Sequence, residues 1–219
     1  MLKAVLFDMD GVIVDTEPLH KKAYFLMFNA FNIGVSNALY ESFTGQSTIN
    51  VCRKLCEIFN LKNNPEELVQ TKRKIFTNLF FNDQSLQLVD GVLDLIKNYS
   101  QNGLTLILAS SASMQTINNV FMRFDLDKYF KAKISGADLK ASKPHPEIFE
   151  KAAELSGFPR VNCMVIEDST NGIKAANAAG IFCVGFNSYH SKNQDYSLAD
   201  LVINNFSSIY FEKIKSLLI

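Results

Sequence analysis

The sequence predicts an α/β protein: a mostly parallel sheet covered on both faces, with an all-helical insertion after its first strand. Three observations carry this. From about residue 85 onward, short apolar runs alternate with amphipathic helical segments, the pattern of repeated βαβ units. One further strand-like run stands alone at the start, Lys3 to Asp8. Between Thr16 and about Gln84 nothing reads as a strand, whereas three segments have helical spacing. The expected division is an α/β core of residues 1–15 and 85–219 and a helical cap of residues 16–84.

The elements follow in order. Ala4-Val5-Leu6-Phe7 is a continuous apolar run, as in a strand buried on both faces. In the insertion, Glu17–Phe31, Ile49–Phe59 and Pro65–Phe81 have helical periodicity, parted by polar breaks at Asn32–Asn37 and Leu61–Pro65. Its many phenylalanines, among them Phe28, Phe76 and Phe80, read as core packing or as a wall between cap and core. Gly91–Asn102 is a helix closed by Gly103. Leu104–Ala109 is a strand, Ser113–Phe124 a helix, and Ala132–Ser135 a short strand. Pro146–Ser156 is a helix with proline at its start and Gly157 past its end. Cys163–Ile166 is a strand and Asn171–Ala179 a helix closed by Gly180. Ile181–Gly185 and Leu201–Ile203 are strands, and Ser207–Leu217 a final helix.

Bulk properties narrow the function. The 219 residues hold 22 basic and 22 acidic side chains, so no global field favours nucleic acid or an anionic membrane. No segment nears the roughly 20 apolar residues of a membrane span, and the first apolar run is too short for a signal peptide. The expected setting is the cytoplasm. Cys52 and Cys56 lie one helical turn apart without a second ligand pair, and Cys163 and Cys183 sit in apolar strands, so neither a zinc site nor a disulfide framework is expected.

The chemistry-bearing residues cluster where strands end. Asp8-Met9-Asp10-Gly11 follows the first strand, Ser110-Ser111 the second, and Glu167-Asp168 the strand at Cys163–Ile166; Lys143-Pro144 precedes a helix. Ligands of open α/β sheets bind outside the carboxyl ends of the strands, so these residues can share one cleft. Asp8, Asp10 and Asp168 together would be strongly anionic: two charges about 4 Å apart repel by about 4 kcal/mol at an effective dielectric of 20. Such a cluster calls for a cation. A small set of oxygen ligands suits Mg²⁺, which keeps waters and completes its shell from a phosphate. Lys143 adds a positive charge and Ser110 a hydroxyl, so a phosphoryl group could sit beside a carboxylate. Asp8 could then attack phosphorus, with Asp10 as proton donor and acceptor. One of Ser110 and Ser111 is also expected to N-cap the following helix.

Four ordered segments also carry a resemblance. Phe7-Asp8-Met9-Asp10-Gly11-Val12-Ile13-Val14-Asp15-Thr16-Glu17 resembles the first motif of the haloacid dehalogenase superfamily. Leu108-Ala109-Ser110 resembles its second, Ser142-Lys143-Pro144-His145-Pro146 its third, and Val165-Ile166-Glu167-Asp168-Ser169 with Gly172 its fourth. The resemblance implies a Rossmann-like core with a helical cap inserted after the first motif. It implies Asp8 as nucleophile and metal ligand, and Asp10 as general acid/base that also offers a backbone carbonyl to the metal. Ser110, with Ser111 beside it, and Lys143 would bind the phosphoryl group. Asp168 would ligate Mg²⁺, with Glu167 supporting the metal site from behind or through a coordinating water. Dehalogenases themselves lack the second aspartate and the metal, so Asp10 and Asp168 point away from dehalogenation.

Within that superfamily the chain is similar to the β-phosphoglucomutases and related sugar-phosphate phosphatases. His20, Gly45 and Lys74 fall at positions that this subgroup uses around the substrate and in the cap. The mutases carry an arginine shortly after the cap glycine, where this chain reads Gly45-Gln46-Ser47-Thr48, and Met114 replaces a polar substrate contact. The expectation is a Mg²⁺-dependent phosphatase of a small phosphorylated metabolite such as a sugar phosphate, acting without nucleic acid or membrane as a monomer or weak dimer. A hexose-phosphate mutase is the alternative, and a non-catalytic phosphate-binding protein the remote one.

Overall fold

A computed structural model describes residues 1–43, 48–187 and 193–215. The chain divides into two compact units, one of Met1–Asp15 with Gln87–Ile219 and one of Thr16–Leu86.

In chain order the elements are β1 (Ala4–Phe7), α1 (Glu17–Ala30), α2 (Asn37–Glu41), α3 (Thr48–Ile58), α4 (Pro65–Asn82), α5 (Val92–Gln101), β2 (Thr105–Ser110), α6 (Met114–Phe124), β3 (Phe130–Ser135), α7 (Glu147–Ser156), β4 (Cys163–Glu167), α8 (Thr170–Ala178), β5 (Phe182–Phe186), β6 (Leu201–Ile203) and α9 (Phe211–Ile214). The strands form one sheet in the order β3-β2-β1-β4-β5-β6, with every pairing parallel. This is the Rossmann-like α/β core. The chain builds outward from β1 to β3, then returns to the other side of β1 with β4. The reversal between β1 and β4 is a topological switch point, where the two halves part and leave a crevice.

Register decides what meets there. Phe7 pairs with Leu108 on one side and Ile166 on the other. Asp8, Ala109 and Glu167 therefore end level at the carboxyl edge, and the Asp8 N–H extends the ladder to Ile166 O at 3.0 Å. Both faces of β1 are covered, which is why AVLF carries no polar residue. Its side chains alternate between faces. Ala4 and Leu6 join a core with Phe149 of α7 and Ile173 of α8, whereas Phe7 lies 6.4 Å from Tyr99 of α5 and 5.6 Å from Phe130.

The smaller unit is helical. Its core joins Met27 and Phe28 of α1, Val51, Cys52 and Leu55 of α3, and Leu68 and Val69 of α4. Asn64 caps α4 by accepting Glu66 N–H at 3.0 Å, with Pro65 in the first turn. The polar break expected at Asn32–Asn37 ends in a short helix not foreseen, α2, begun where Ser36 Oγ accepts Leu39 N–H at 3.2 Å. Among the described residues no helix is long and apolar enough to cross a membrane.

The C-terminus corrects the single helix expected at Ser207–Leu217. A 3₁₀ turn at Phe206–Ile209 and the short α9 are separated by Tyr210, whose backbone is extended. Tertiary hydrogen bonds explain the break. Tyr99 Oη donates to Ile209 O at 2.6 Å, and Phe211 N–H donates to Asn98 Oδ1 at 2.8 Å. Side chains of α5 thus take a carbonyl and an amide flanking Tyr210. Residues 216–219 of the expected helix lie outside the described residues.

Candidate active site

Lys143 ties the site together. It lies in the loop before α7, yet its side chain is only 6% exposed. Its Nζ donates to Asp8 Oδ1 at 2.5 Å, Glu167 Oε1 at 2.8 Å and Ala109 O at 3.1 Å, so its three donors reach the ends of β1, β4 and β2. The same ammonium stands 4.8 Å from the centre of the Phe149 ring. Burial pulls the ammonium toward neutrality, but the Asp8 and Glu167 carboxylates outweigh it and raise its pKa, so Lys143 stays a cation.

Asp8 has the opposite problem. Burial raises its pKa well above the usual carboxylate range, and Glu167 and Asp168 push the same way against the pull of Lys143. Lys143 bonds the Asp8 and Glu167 carboxylates, and the charge of Asp168 also acts on Asp8. Such clustered negative charge is what a divalent cation would relieve.

Backbone geometry sets the other groups. After Asp8 the chain turns sharply: Ile13 and Val14 both donate to Met9 O, and Gly11 N–H donates to Val14 O at 2.9 Å. Gly11 adopts φ 81°, and a Cβ there would overlap the Asp168 carboxylate. The motif glycine thus permits both the left-handed turn and the close approach of Asp168 to the Asp8–Asp10 loop. Gly172, within α8, leaves room for Glu167, whose carboxylate occupies the space a Cβ would fill. Glu167 Oε2 also accepts Ser169 N–H at 2.7 Å and Ser169 Oγ–H at 2.9 Å.

Ser110, buried at the end of β2, accepts Ala112 N–H at 3.0 Å and keeps its own hydrogen to donate. Ser111 is exposed. The helix that follows is capped by neither: Ser113 Oγ accepts Thr116 N–H at 3.3 Å. The cap sits further on because Ser110 ends a strand and its hydroxyl is engaged with Ala112.

The structure thus gathers Asp8, Lys143 and Glu167 by direct bonds, with Asp168 within electrostatic reach of Asp8 and against Gly11, and Ser110 one residue past a Lys143 contact. Among the described residues no three His, Cys, Asp or Glu side chains form a ready-made metal cage. The donor set is oxygen-only and incomplete, which fits an ion that draws part of its shell from water and phosphate.

Gly45 lies outside the described residues. In the helical unit, His20 is tied to Lys72 rather than to Lys74. Lys72 Nζ lies 2.7 Å from His20 Nδ1, and the His20 ring stacks on Phe76 at 4.2 Å. Lys72 is 4% exposed, with its ammonium 4.9 Å from the ring centres of both Tyr24 and Phe76, whereas Lys74 faces solvent. The sequence does hold the signal. Lys72 falls three residues after buried Val69 and four before Phe76, on the apolar stripe of α4, and Lys74 falls off it. Burial pushes Lys72 down to about 8. Burial, reinforced by Lys72, pushes His20 down to about 3.

Known proteins resemble this chain over most of its length. Residues 5–186 match the family model described as haloacid dehalogenase-like hydrolase. The chain is 29% identical over 203 residues to the phosphorylated carbohydrates phosphatase of Thermotoga maritima, covering 91% of each protein. It is 27% identical over 207 residues to hexitol phosphatase B of Escherichia coli K12, covering 94% of this chain and 93% of that protein. Among solved structures it superposes on a candidate β-phosphoglucomutase from Thermotoga maritima with a TM-score of 0.85 and 28% identity, covering 99% of this chain and all of the other.

Proposed function

The chain belongs to the haloacid dehalogenase-like hydrolases, and from that membership we propose that it is a Mg²⁺-dependent phosphatase of small phosphorylated carbohydrates, acting through a covalent aspartyl-phosphate on Asp8. The carrying observation is Lys143 bridging Asp8 and Glu167 at the carboxyl ends of β1 and β4. It fixes a carboxylate nucleophile beside a cation that can receive phosphoryl oxygens.

The steps follow from the side chains. Lys143 and the Ser110 hydroxyl bind the non-bridging oxygens of the phosphoryl group, offsetting its repulsion from Asp8. An Asp8 oxygen forms a bond to phosphorus as the bond to the leaving oxygen breaks, and Asp10 gives that oxygen its proton. Asp10, now ionised, takes a proton from water. The hydroxide attacks phosphorus, inorganic phosphate leaves, and the Asp8 carboxylate is restored.

Asp8, Asp168 and the Asp10 backbone carbonyl would hold the magnesium ion. When bound it supplies positive charge that lets Asp8 stay ionised against the substrate. Glu167, engaged by Lys143 and Ser169, serves by keeping Lys143 in place. Within the helical unit, His20 and the buried Lys72 ammonium form a polar pair. The similarity to a candidate β-phosphoglucomutase structure supports a second reading, a hexose-phosphate mutase, which shares the first half-reaction and differs in the acceptor.

The test is phosphate release from sugar, polyol and nucleotide phosphates, with Mg²⁺ and after chelation, together with acid-quenched mass analysis. Sugar or polyol phosphates should be hydrolysed best. A single phosphoryl group should appear on the peptide holding Asp8, and Asp8→Asn should lose both signals. Turnover surviving in Asp8→Asn, or undiminished by chelation, would overturn the proposal.

A further inference from the structure

We propose that Tyr196 is a positioning residue for the metal site: its hydroxyl holds the backbone carbonyl of Asp168 and thereby aims the Asp168 carboxylate. The inference rests on the reading of Asp168 as a magnesium ligand.

Tyr196 lies in the segment after β5, far from the four motifs in sequence. Its Oη donates to Asp168 O at 3.1 Å and to Phe186 O at 3.3 Å. A phenol has one hydrogen, so the two carbonyls share it. The bond links the loop after β4 to the end of β5. Its ring has a prepared seat on β5: a Cβ at Gly185 would lie 2.8 Å from Tyr196 Cδ1 and 3.1 Å from Ala199 Cβ, so only glycine leaves room. Gly185 is also the residue that pairs with Glu167. The ring therefore lies beside the strand end that carries the site.

A second contact fastens the same segment. Gln194 Oε1 accepts both Thr170 N–H at 2.8 Å and Thr170 Oγ–H at 2.9 Å, and Asp195 N–H donates to Thr170 Oγ1 at 2.8 Å. Residues 194–196 thus grip Asp168 and Thr170 on either side of Ser169, the N-cap of α8. The Asp168 carboxylate is hemmed by Gly11 while its backbone is held by Tyr196. A ligand so held loses little freedom on taking up an ion, and groups that orient metal ligands typically contribute about 10–100-fold in affinity.

Tyr196→Phe separates hydroxyl from ring, because phenylalanine keeps the seat on Gly185. The experiment is calorimetric titration of the full-length enzyme with Mg²⁺, alongside its thermal midpoint and its kinetics at saturating Mg²⁺. Tyr196→Phe should bind Mg²⁺ about tenfold more weakly. Its midpoint without metal should stay near that of wild type, and excess Mg²⁺ should restore kcat with KM unchanged. Thr170→Val, which removes the clasp's hydroxyl, should move Mg²⁺ affinity the same way by a smaller factor. Asp168→Asn is the control for the underlying reading and should lose Mg²⁺ binding altogether. Wild-type affinity in Asp168→Asn would remove the metal-ligand reading itself. Loss in Asp168→Asn with affinity kept in Tyr196→Phe would overturn the positioning role alone. A Tyr196→Phe defect that excess Mg²⁺ leaves in place would also overturn it.

Discussion

Lys143 Nζ stands 2.5 Å from Asp8 Oδ1 with both side chains almost closed to water. A buried pair of this kind is costly to break from one side, because the remaining charge has no solvent to stabilise it. Lys143→Met would leave two such charges, Asp8 and Glu167. In metal-free protein it should cost about 3–5 kcal/mol of stability, read by urea denaturation, and abolish phosphatase activity. Adding Asp8→Asn to it should cost less than the sum of the single changes, since one stranded carboxylate is then neutral. Strict additivity would mean that the two groups do not sense each other in solution.

Asp10→Asn should separate binding from proton transfer. Asparagine keeps the backbone carbonyl and the size of the side chain but cannot donate a proton to the leaving oxygen. Proton transfer typically contributes about 10²–10⁴-fold, so kcat should fall by that order with KM little changed. The loss should shrink for substrates whose leaving group is an acidic phenol, which needs no proton. An equal loss for aryl and alkyl phosphates would assign Asp10 another role.

Much of this was legible in the sequence because the chemistry sits in local, strongly patterned segments. Buried parallel strands read as continuous apolar runs, so the strand ends that bring Asp8, Ser110, Glu167 and Asp168 to one edge of the sheet could be placed from the sequence. Features set by tertiary contacts were not legible. The break at Tyr210 depends on Tyr99 and Asn98, which lie more than a hundred residues earlier. The N-cap at Ser113 rather than Ser110 or Ser111 depends on where β2 stops. Lys72 could be told from Lys74 only by placing both on the apolar stripe of α4, since the charged run Lys72-Arg73-Lys74 otherwise reads as a solvated face. Tyr196 carries no motif, and its tie to Asp168 exists only once β4 and β5 are side by side.

The His20–Lys72 pair predicts the pH dependence of stability. Both folded-state values are depressed, Lys72 to about 8 from 10.5 and His20 to about 3 from 6.5. For a base with a depressed value the unfolded chain binds more protons between the two values, so stability rises with pH across that window. His20 should destabilise the fold as pH falls from about 6.5 toward 3. Lys72 should lend a rise in stability between about pH 8 and 10.5, modulated by Glu17, Cys52 and Arg73. Denaturation followed over pH should show both slopes. Lys72→Met should erase the alkaline one while raising stability at pH 7 by a few kcal/mol, since each tenfold loss of proton affinity on folding costs about 1.4 kcal/mol. The His20 ring signals in NMR should not titrate between pH 5 and 8. A midpoint near 6.5 would show that the pair is not formed in solution.

The last prediction concerns the acceptor of the phosphoryl group. A mutase has to rebind its bisphosphate intermediate in reversed orientation, which calls for a cationic grip on the phosphate that is not being transferred. Arginine gives that grip in bidentate form. By the resemblance to the mutases, Thr48 falls where they carry it; in the same helical unit the Lys72 ammonium stands 4.9 Å from the centre of the Tyr24 ring. Lys72 is a cation of the same helical unit, but its charge is buried and depressed to about 8, a poor counterion at alkaline pH. Water should be the main acceptor: with β-glucose 1-phosphate and catalytic β-glucose 1,6-bisphosphate, free phosphate should accumulate faster than glucose 6-phosphate. Thr48→Arg should tighten bisphosphate binding by about 1.5–3 kcal/mol, the range for hydrogen bonds to charged groups, and raise the share of isomerised product. The new guanidinium should also depress Lys72 further, so the gain should be larger in Thr48→Arg combined with Lys72→Met if like-charge repulsion opposes it. Isomerisation outrunning phosphate release in the unmodified enzyme would favour the mutase. No change in bisphosphate affinity in Thr48→Arg would show that position 48 does not reach the second phosphate.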